Sequence, residues 1–199
     1  MNGLVAKILE ALYEPMFHLC SYGFRPDHNC FDALRALSWA AYNSKEGALI
    51  EIDIRKCFNR IPHDHMLTFL QKKIKDKRFL RLIWKLMTMP ILEDGIAQDS
   101  DIGCPQGSIV SPILCNIFLH YAVDEWFHEI SKTHLSGKTE LIRYTDDMVF
   151  IFDSQVDAER VFRVLNKRIG IGRNLTTPPS HTTVHTDPYT AVQSVNLIT

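Results

Sequence analysis

Three aspartates in this chain stand where apolar segments end. Ala48-Leu49-Ile50-Glu51-Ile52 runs directly into Asp53, and Asp146-Asp147 separates the apolar-rich segments 140–144 and 148–153. A segment that buries its apolar side chains fixes the carboxylate at its end, and adjacent acids repel unless a cation sits near them. Carboxylates held in this way are hard oxygen ligands suited to Mg²⁺, which takes one or two of them together with substrate phosphates. Two such ions about 3.5–4 Å apart can align an attacking hydroxyl and a leaving pyrophosphate in an in-line displacement. The plainer use of an Asp-Asp pair is a turn with solvated acids, because Asp is a common turn residue. Residue type alone leaves both uses open.

Neighbouring segments narrow the choice. Arg143-Tyr144-Thr145-Asp146-Asp147 resembles the Tyr-x-Asp-Asp motif of reverse transcriptases, and Ile52-Asp53-Ile54-Arg55-Lys56-Cys57-Phe58 is similar to their first metal-binding motif. Gly103-Cys104-Pro105-Gln106-Gly107, continuing to Leu119, looks like the Pro-Gln-Gly block that opens their palm helix. Ser21-Tyr22-Gly23-Phe24-Arg25-Pro26, with Asp32-Ala33-Leu34 after it, resembles a finger motif of the reverse transcriptase/maturases encoded by group II introns. The four blocks stand in the family's order between Ser21 and Asp147, and the resemblance covers about residues 7–168.

The resemblance implies roles for particular residues. Asp53 and Asp146 would bind catalytic Mg²⁺, joined by the Ile54 carbonyl, with Asp147 a supporting acid. Phe58 would lie under the sugar of the incoming nucleotide, where an aromatic ring collides with a 2′-hydroxyl; the alternative is a core phenylalanine. Gln106 and Gly107 would line the nascent base pair, a glycine permitting close backbone approach. Arg25 would neutralise triphosphate or template phosphate, for which a forked guanidinium is suited, or else make a structural ion pair. Three positions depart from the family pattern: Thr145 where Ala is usual, Asn59 where an acid is common, and His28 where a basic residue is common.

These residues need elements to position them. Apolar residues at helical spacing predict helices over 5–17, 30–42, 64–89, 111–130 and 156–169, the third broken near Asp76. Residues 48–53, 140–144 and 148–153 read as strands, with Thr145-Asp146-Asp147 between the last two. Asp94-Gly95 marks a hairpin within 91–101, and 21–27 reads as a loop around Gly23 and Pro26. Residues 174–187 have weak periodicity, and 191–198 offer another strand. That order of elements fits an α+β fold with an antiparallel sheet backed by helices.

Composition sets the outer bounds. The chain has 199 residues, 46% hydrophobic and 23% charged, with a net charge of −1; these are ordinary for a globular protein. A nucleic-acid-binding domain is usually basic, yet Lys72, Lys73, Lys75, Lys77, Arg78, Arg81 and Lys85 crowd one segment. Such a run is either a solvated helix face or a nucleic-acid track. Five scattered cysteines with no Cys-x-x-Cys pair point to reduced thiols. His181 and His185 have a spacing seen in zinc sites, but no cysteine pair accompanies them. No apolar run approaches the roughly 20 residues of a membrane span, and residues 1–14 do not read as a signal peptide.

The resemblance implies a polymerase palm with partial fingers: fingers over 1–47, palm over 48–169, and a divergent segment over 170–199. In the family's frame Met1 falls inside the fingers and the thumb is absent. The function implied is an RNA-directed DNA polymerase that adds dNTPs to a primer 3′-hydroxyl. Its partners would be an RNA template, a DNA primer and intron RNA, in the bacterial cytoplasm or an organelle, with no membrane. A non-catalytic remnant that binds RNA, or one piece of a split enzyme, are the alternatives.

Overall fold

The computed structural model of the protein describes residues 2–44, 47–54, 57, 61–89, 91–93, 96–98, 108–169 and 182–185. The chain forms α1 (Asn2–Tyr13), a 3₁₀ turn (Glu14–Met16), α2 (Cys30–Asn43) and β1 (Ala48–Asp53). Then come α3 (His63–Lys73), α4 (Lys77–Met87), β2 (Ile91–Glu93), β3 (Ile96–Gln98) and α5 (Ser111–Leu119). A π-helical turn (His120–Asp124) leads into α6 (Glu125–Thr133), followed by β4 (Thr139–Tyr144), β5 (Asp147–Phe152), α7 (Gln155–Ile169) and β6 (Thr182–His185). Two compact units result: Met1–Phe17 with Lys56–Tyr121, and His18–Arg55 with Ala122–Thr199.

The first unit is mostly helical. Val5, Leu9 and Tyr13 repeat every four residues and bury one stripe of α1, the period of a helix face turned to a core. The Tyr13 hydroxyl donates to the Leu70 carbonyl of α3 at 3.3 Å. Asp76 separates α3 from α4 by capping the latter, accepting from the Arg78 and Phe79 N–H groups at 2.7 and 3.3 Å. This is the break expected near that residue. β2 and β3 pair antiparallel, Glu93 opposite Ile96; the turn expected at Asp94-Gly95 lies outside the described residues. α5 is buried along almost its whole length. The Sγ atoms of Cys57 and Cys115 meet at 3.3 Å in this unit, both buried, and the four described cysteines are free thiols.

The second unit holds a four-stranded antiparallel sheet in the order β4-β5-β1-β6. Successive side chains of a strand point to opposite faces. One face carries Ile50, Ile52, Met148, Phe150 and Phe152, all buried. Phe127 of α6 meets Phe150 edge-on at 4.9 Å between centroids, and α7 buries Ala158 and Val161. On the other face Leu49, Ile142 and Ile151 pack under Ala33, Leu37, Ala40 and Ala41 of α2. The Asn29 side chain caps α2 by accepting from the Asp32 N–H at 3.1 Å, a common N-terminal stop.

This is the expected α+β sheet backed by helices, with two differences. The helix predicted over 111–130 extends to Thr133 and widens into a π turn at His120–Asp124. No proline or glycine marks that turn; it carries the buried Asp124 carboxylate, whose partner is described below. Within 174–187, weak in period, the β-branched residues Thr182, Thr183 and Val184 pair with β1 as β6; such residues suit a pleated strand. The strand predicted over 191–198 lies outside the described residues. Among the described residues, no helix is long and apolar enough to cross a membrane.

Candidate active site

The three aspartates converge because of strand register. Asp53, the last residue of β1, stands directly opposite Asp147, the first of β5, and Asp147 in turn stands opposite Tyr144. Paired residues point to the same face and are close neighbours. That face is the one α2 covers at Leu49 and Ile151. Two residues further on it carries Glu51 beside Val149, and two further still the Asp53–Asp147 pair. Apolar cover from α2 therefore gives way to carboxylates along a single sheet face, with Asp53 and Asp146 half-buried and Asp147 more exposed.

Asp146 occupies the two-residue turn between Tyr144 and Asp147 with Thr145. Thr145 has φ 58°, a left-handed conformation that β-branched residues rarely adopt. Its hydroxyl lies 2.6 Å from the Tyr144 carbonyl and 2.8 Å from Asp146 Oδ1, so its single proton can serve either. Gly23 presses on this turn: a Cβ there would fall 2.6 Å from the Thr145 nitrogen. The finger-like Tyr22-Gly23 segment and the Asp146 turn are thus in direct contact, and glycine is what permits it.

A buried ion pair anchors the same turn. Arg143 donates from Nε and Nη2 to Asp124 Oδ1 and Oδ2 at 2.9 and 2.6 Å, both side chains wholly buried. Its Nη1 donates to the Thr145 carbonyl at 3.0 Å. The Arg143 N–H donates to the Cys20 carbonyl at 2.7 Å, and the Tyr22 N–H donates to the Arg143 carbonyl at 2.9 Å. Removing one partner of such a pair would leave an uncompensated buried charge, which costs about 3–5 kcal/mol. Arg25 has turned inward in the same loop, Nη1 donating to the His18 and Ser21 carbonyls at 2.8 and 2.6 Å.

The electrostatics follow from this crowding. Burial, and then the charges of Asp146, Asp53 and Glu51, push the Asp147 carboxyl up to about 6 from an ordinary 3.8. A hard cation among these carboxylates would relieve that repulsion, and an all-oxygen donor set suits Mg²⁺. In donor chemistry these carboxylates suit a divalent metal. Phe58, Gln106 and Gly107 lie outside the described residues. Ile54 follows Asp53 directly and is buried.

Sequence reading missed Glu51, although its period-two spacing from Asp53 announces the shared face. It also missed Asp124 as the partner of Arg143, for which no local pattern exists: the two lie 19 positions apart, on a π turn and a strand.

Comparison with known proteins shows the family and the fold. The model of the family described as reverse transcriptase (RNA-dependent DNA polymerase) matches residues 1–192. An uncharacterized 91 kDa protein in the cob intron of Schizosaccharomyces pombe is 44% identical over 134 residues, 66% of this chain and 16% of that protein. The group II intron-encoded protein LtrA of Lactococcus lactis subsp. cremoris is 38% identical over 116 residues, 58% of this chain and 19% of that protein. The chain thus spans less than a fifth of these curated relatives. Among solved structures, telomerase from Candida albicans in complex with a TWJ fragment of telomeric RNA matches with a TM-score of 0.70 at 12% identity. That match covers 92% of this chain and 34% of the telomerase chain, a likeness of fold. The chain belongs to the reverse transcriptase (RNA-dependent DNA polymerase) family.

Proposed function

We propose that this chain carries the palm of a group II intron-type reverse transcriptase, copying an RNA template by adding dNTPs to a primer 3′-hydroxyl. The observation that carries the reading is the register of Asp53 against Asp147, with Asp146 in the adjoining turn, at one end of a sheet face. Asp53, Asp146 and the Ile54 carbonyl hold Mg²⁺, with Asp147 in support. When bound, the metal supplies charge neutralisation at the reacting phosphate and lowers the cost of ionising the primer hydroxyl.

The chain's own residues do the positioning. β1 and β5 hold the carboxylates on adjacent hydrogen-bonded strands, and the Arg143–Asp124 pair fixes the turn that carries Asp146. Phosphoryl transfer depends chiefly on alignment and electrostatic stabilisation, so a rigid sheet end suits it. Phe58 acts as the steric gate against ribonucleotides, and Gln106 with Gly107 lines the nascent base pair. The inward contacts of Arg25 support a bracing role in the 18–25 loop more than a phosphate contact. Template RNA, DNA primer and intron RNA are the partners of this reading, in an intracellular compartment.

Primer extension on an RNA template with Mg²⁺ tests it, run on this chain and on Asp146→Ala. Extension by the unmodified chain with at least a hundredfold loss in the variant supports the reading. Mg²⁺ should also raise the melting temperature of the unmodified chain and not that of Asp146→Ala. Absence of extension by the unmodified chain favours a remnant or a split enzyme, and equal extension by both removes Asp146 from the site.

A further inference from the structure

Residues 72–85 hold seven of the chain's 22 lysines and arginines and a single acid, Asp76. All seven cations are exposed. The sequence alone left a nucleic-acid track open beside the commoner solvated face; the geometry of α4 separates them. At 3.6 residues per turn, Lys77, Arg81 and Lys85 fall along one line of the helix with Arg78 beside it. Leu80, Ile83, Leu86 and Met87 occupy the opposite, buried side.

The row lacks the counter-charges that a solvated face usually has. Such faces alternate in sign, with Glu or Asp four residues from Lys or Arg. Here Lys77–Arg81 and Arg81–Lys85 are like charges at four-residue spacing, which weakens a helix. The one nearby acid, Asp76, is engaged with the Arg78 and Phe79 N–H groups. Among the described residues no ion pair involves Lys77, Arg78, Arg81 or Lys85. Lys72, by contrast, rests on aromatic rings, its Nζ 4.3 Å from the Tyr121 centroid and 5.3 Å from that of Phe69. An uncompensated row on a capped, packed helix is arranged to meet a polyanion.

The form of the row also selects among polyanions. A basic amphipathic helix binds a membrane surface by inserting its apolar face, and the apolar face of α4 is buried in its own unit. Four-residue steps place cations about 6 Å apart along the axis, the scale of the separation between successive phosphates on a strand. We propose that Lys77, Arg78, Arg81 and Lys85 form a phosphate track that holds structured RNA by its backbone. None of the four belongs to the carboxylate site. Only the identity of the polyanion rests on reading the chain as an RNA-directed polymerase.

The test is fluorescence anisotropy of the full chain with a labelled RNA hairpin across a KCl series. The unmodified chain is compared with Lys77→Gln/Arg81→Gln/Lys85→Gln and with Lys77→Arg/Lys85→Arg. Neutralising three of four phosphate contacts should weaken binding at least tenfold at about 0.1 M salt and reduce the log–log salt slope by about 2–3. The arginine variant should bind as the unmodified chain does. Equal affinity and slope for the triple variant would overturn the track, as would tighter, row-dependent binding to phosphatidylserine vesicles than to RNA. Mg²⁺-dependent melting separates this from the catalytic reading. If it persists in the triple variant while RNA binding is unchanged, the track alone fails; if it is missing everywhere while RNA binding depends on the row, the metal site alone fails.

Discussion

At Thr145 the backbone takes a left-handed conformation that a β-branched residue rarely accepts, and at Gly23 it comes too close to Thr145 for any side chain to fit. The two residues explain each other: the turn carrying Asp146 is pressed into shape by a loop that must be glycine at the contact. Gly23→Ala should therefore act on the site although residue 23 carries no chemistry. Overpacking of this kind costs about 1–3 kcal/mol, and a displacement of about 1 Å at a reacting centre can cost on the order of a hundredfold in rate. We expect a lowered melting temperature together with a large loss of primer extension. Gly3→Ala serves as the control, because no other atom would lie within 4 Å of its Cβ. If Gly23→Ala extends primers normally, the contact does not shape the turn. At this scale the acids themselves were legible, since a carboxylate ending an apolar run is a local pattern. Glu51 was legible by alternation and overlooked, whereas the Gly23–Thr145 contact joins residues with no local relation.

Between elements, one carboxylate ties the α6–β4 connection to the first turn of α7. Asp157 accepts hydrogen bonds from the Ser136 N–H at 2.8 Å, the Ser136 hydroxyl at 3.0 Å and the Gly137 N–H at 3.2 Å. Arg160 lies 3.6 Å from its other oxygen. Burial works against the charge of Asp157, but these donors and Arg160 outweigh it and hold the carboxyl below its usual range. The sign of the linkage follows. A folded-state value below the unfolded one means that the unfolded chain binds the proton more tightly, so stability rises with pH across that interval. The contribution is present above the unfolded value of about 3.9 and is lost as pH falls through the folded one. Asp157→Ala should cost about 1–3 kcal/mol near pH 7, the penalty for stranding the donors. The difference from the unmodified chain should shrink below about pH 4. Urea titrations at several pH values check this, and a pH-independent difference would mean that the charge contributes nothing. Helices and strands were read well from period and punctuation, Asp76 included. The π turn escaped because its cause is tertiary: it carries Asp124 to Arg143, a partner that no spacing rule anticipates.

Across the whole molecule, the sheet that holds the site is closed late in the sequence. β1 is flanked by β5 and β6, so Ile50 pairs with Phe150 and with Val184, 100 and 134 residues further along the chain. α3 and α4, by contrast, are neighbours in sequence and pack on each other in their own unit. This asymmetry explains the pattern of what could be read. Each strand of the acid-bearing pair announces itself locally, but register is a property of two segments, and a slip of one residue would turn Asp53 to the opposite face. β6 was missed for the same reason: its signal lies in β1, not in its own surroundings. Non-local pairing must offset loop-closure entropy before it gains anything, so such sheets form slowly. Pulse-labelled hydrogen exchange during refolding of the full chain should show amides of α3 and α4 protected first. Amides of β1 should gain protection only in the phase in which those of β5 do, and the carboxylates should gain affinity for Mg²⁺ in that same phase. Protection of β1 alongside α4, ahead of β5, would mean that the strand is held before its neighbour arrives. The site would then owe its geometry to something other than the pairing of Asp53 with Asp147.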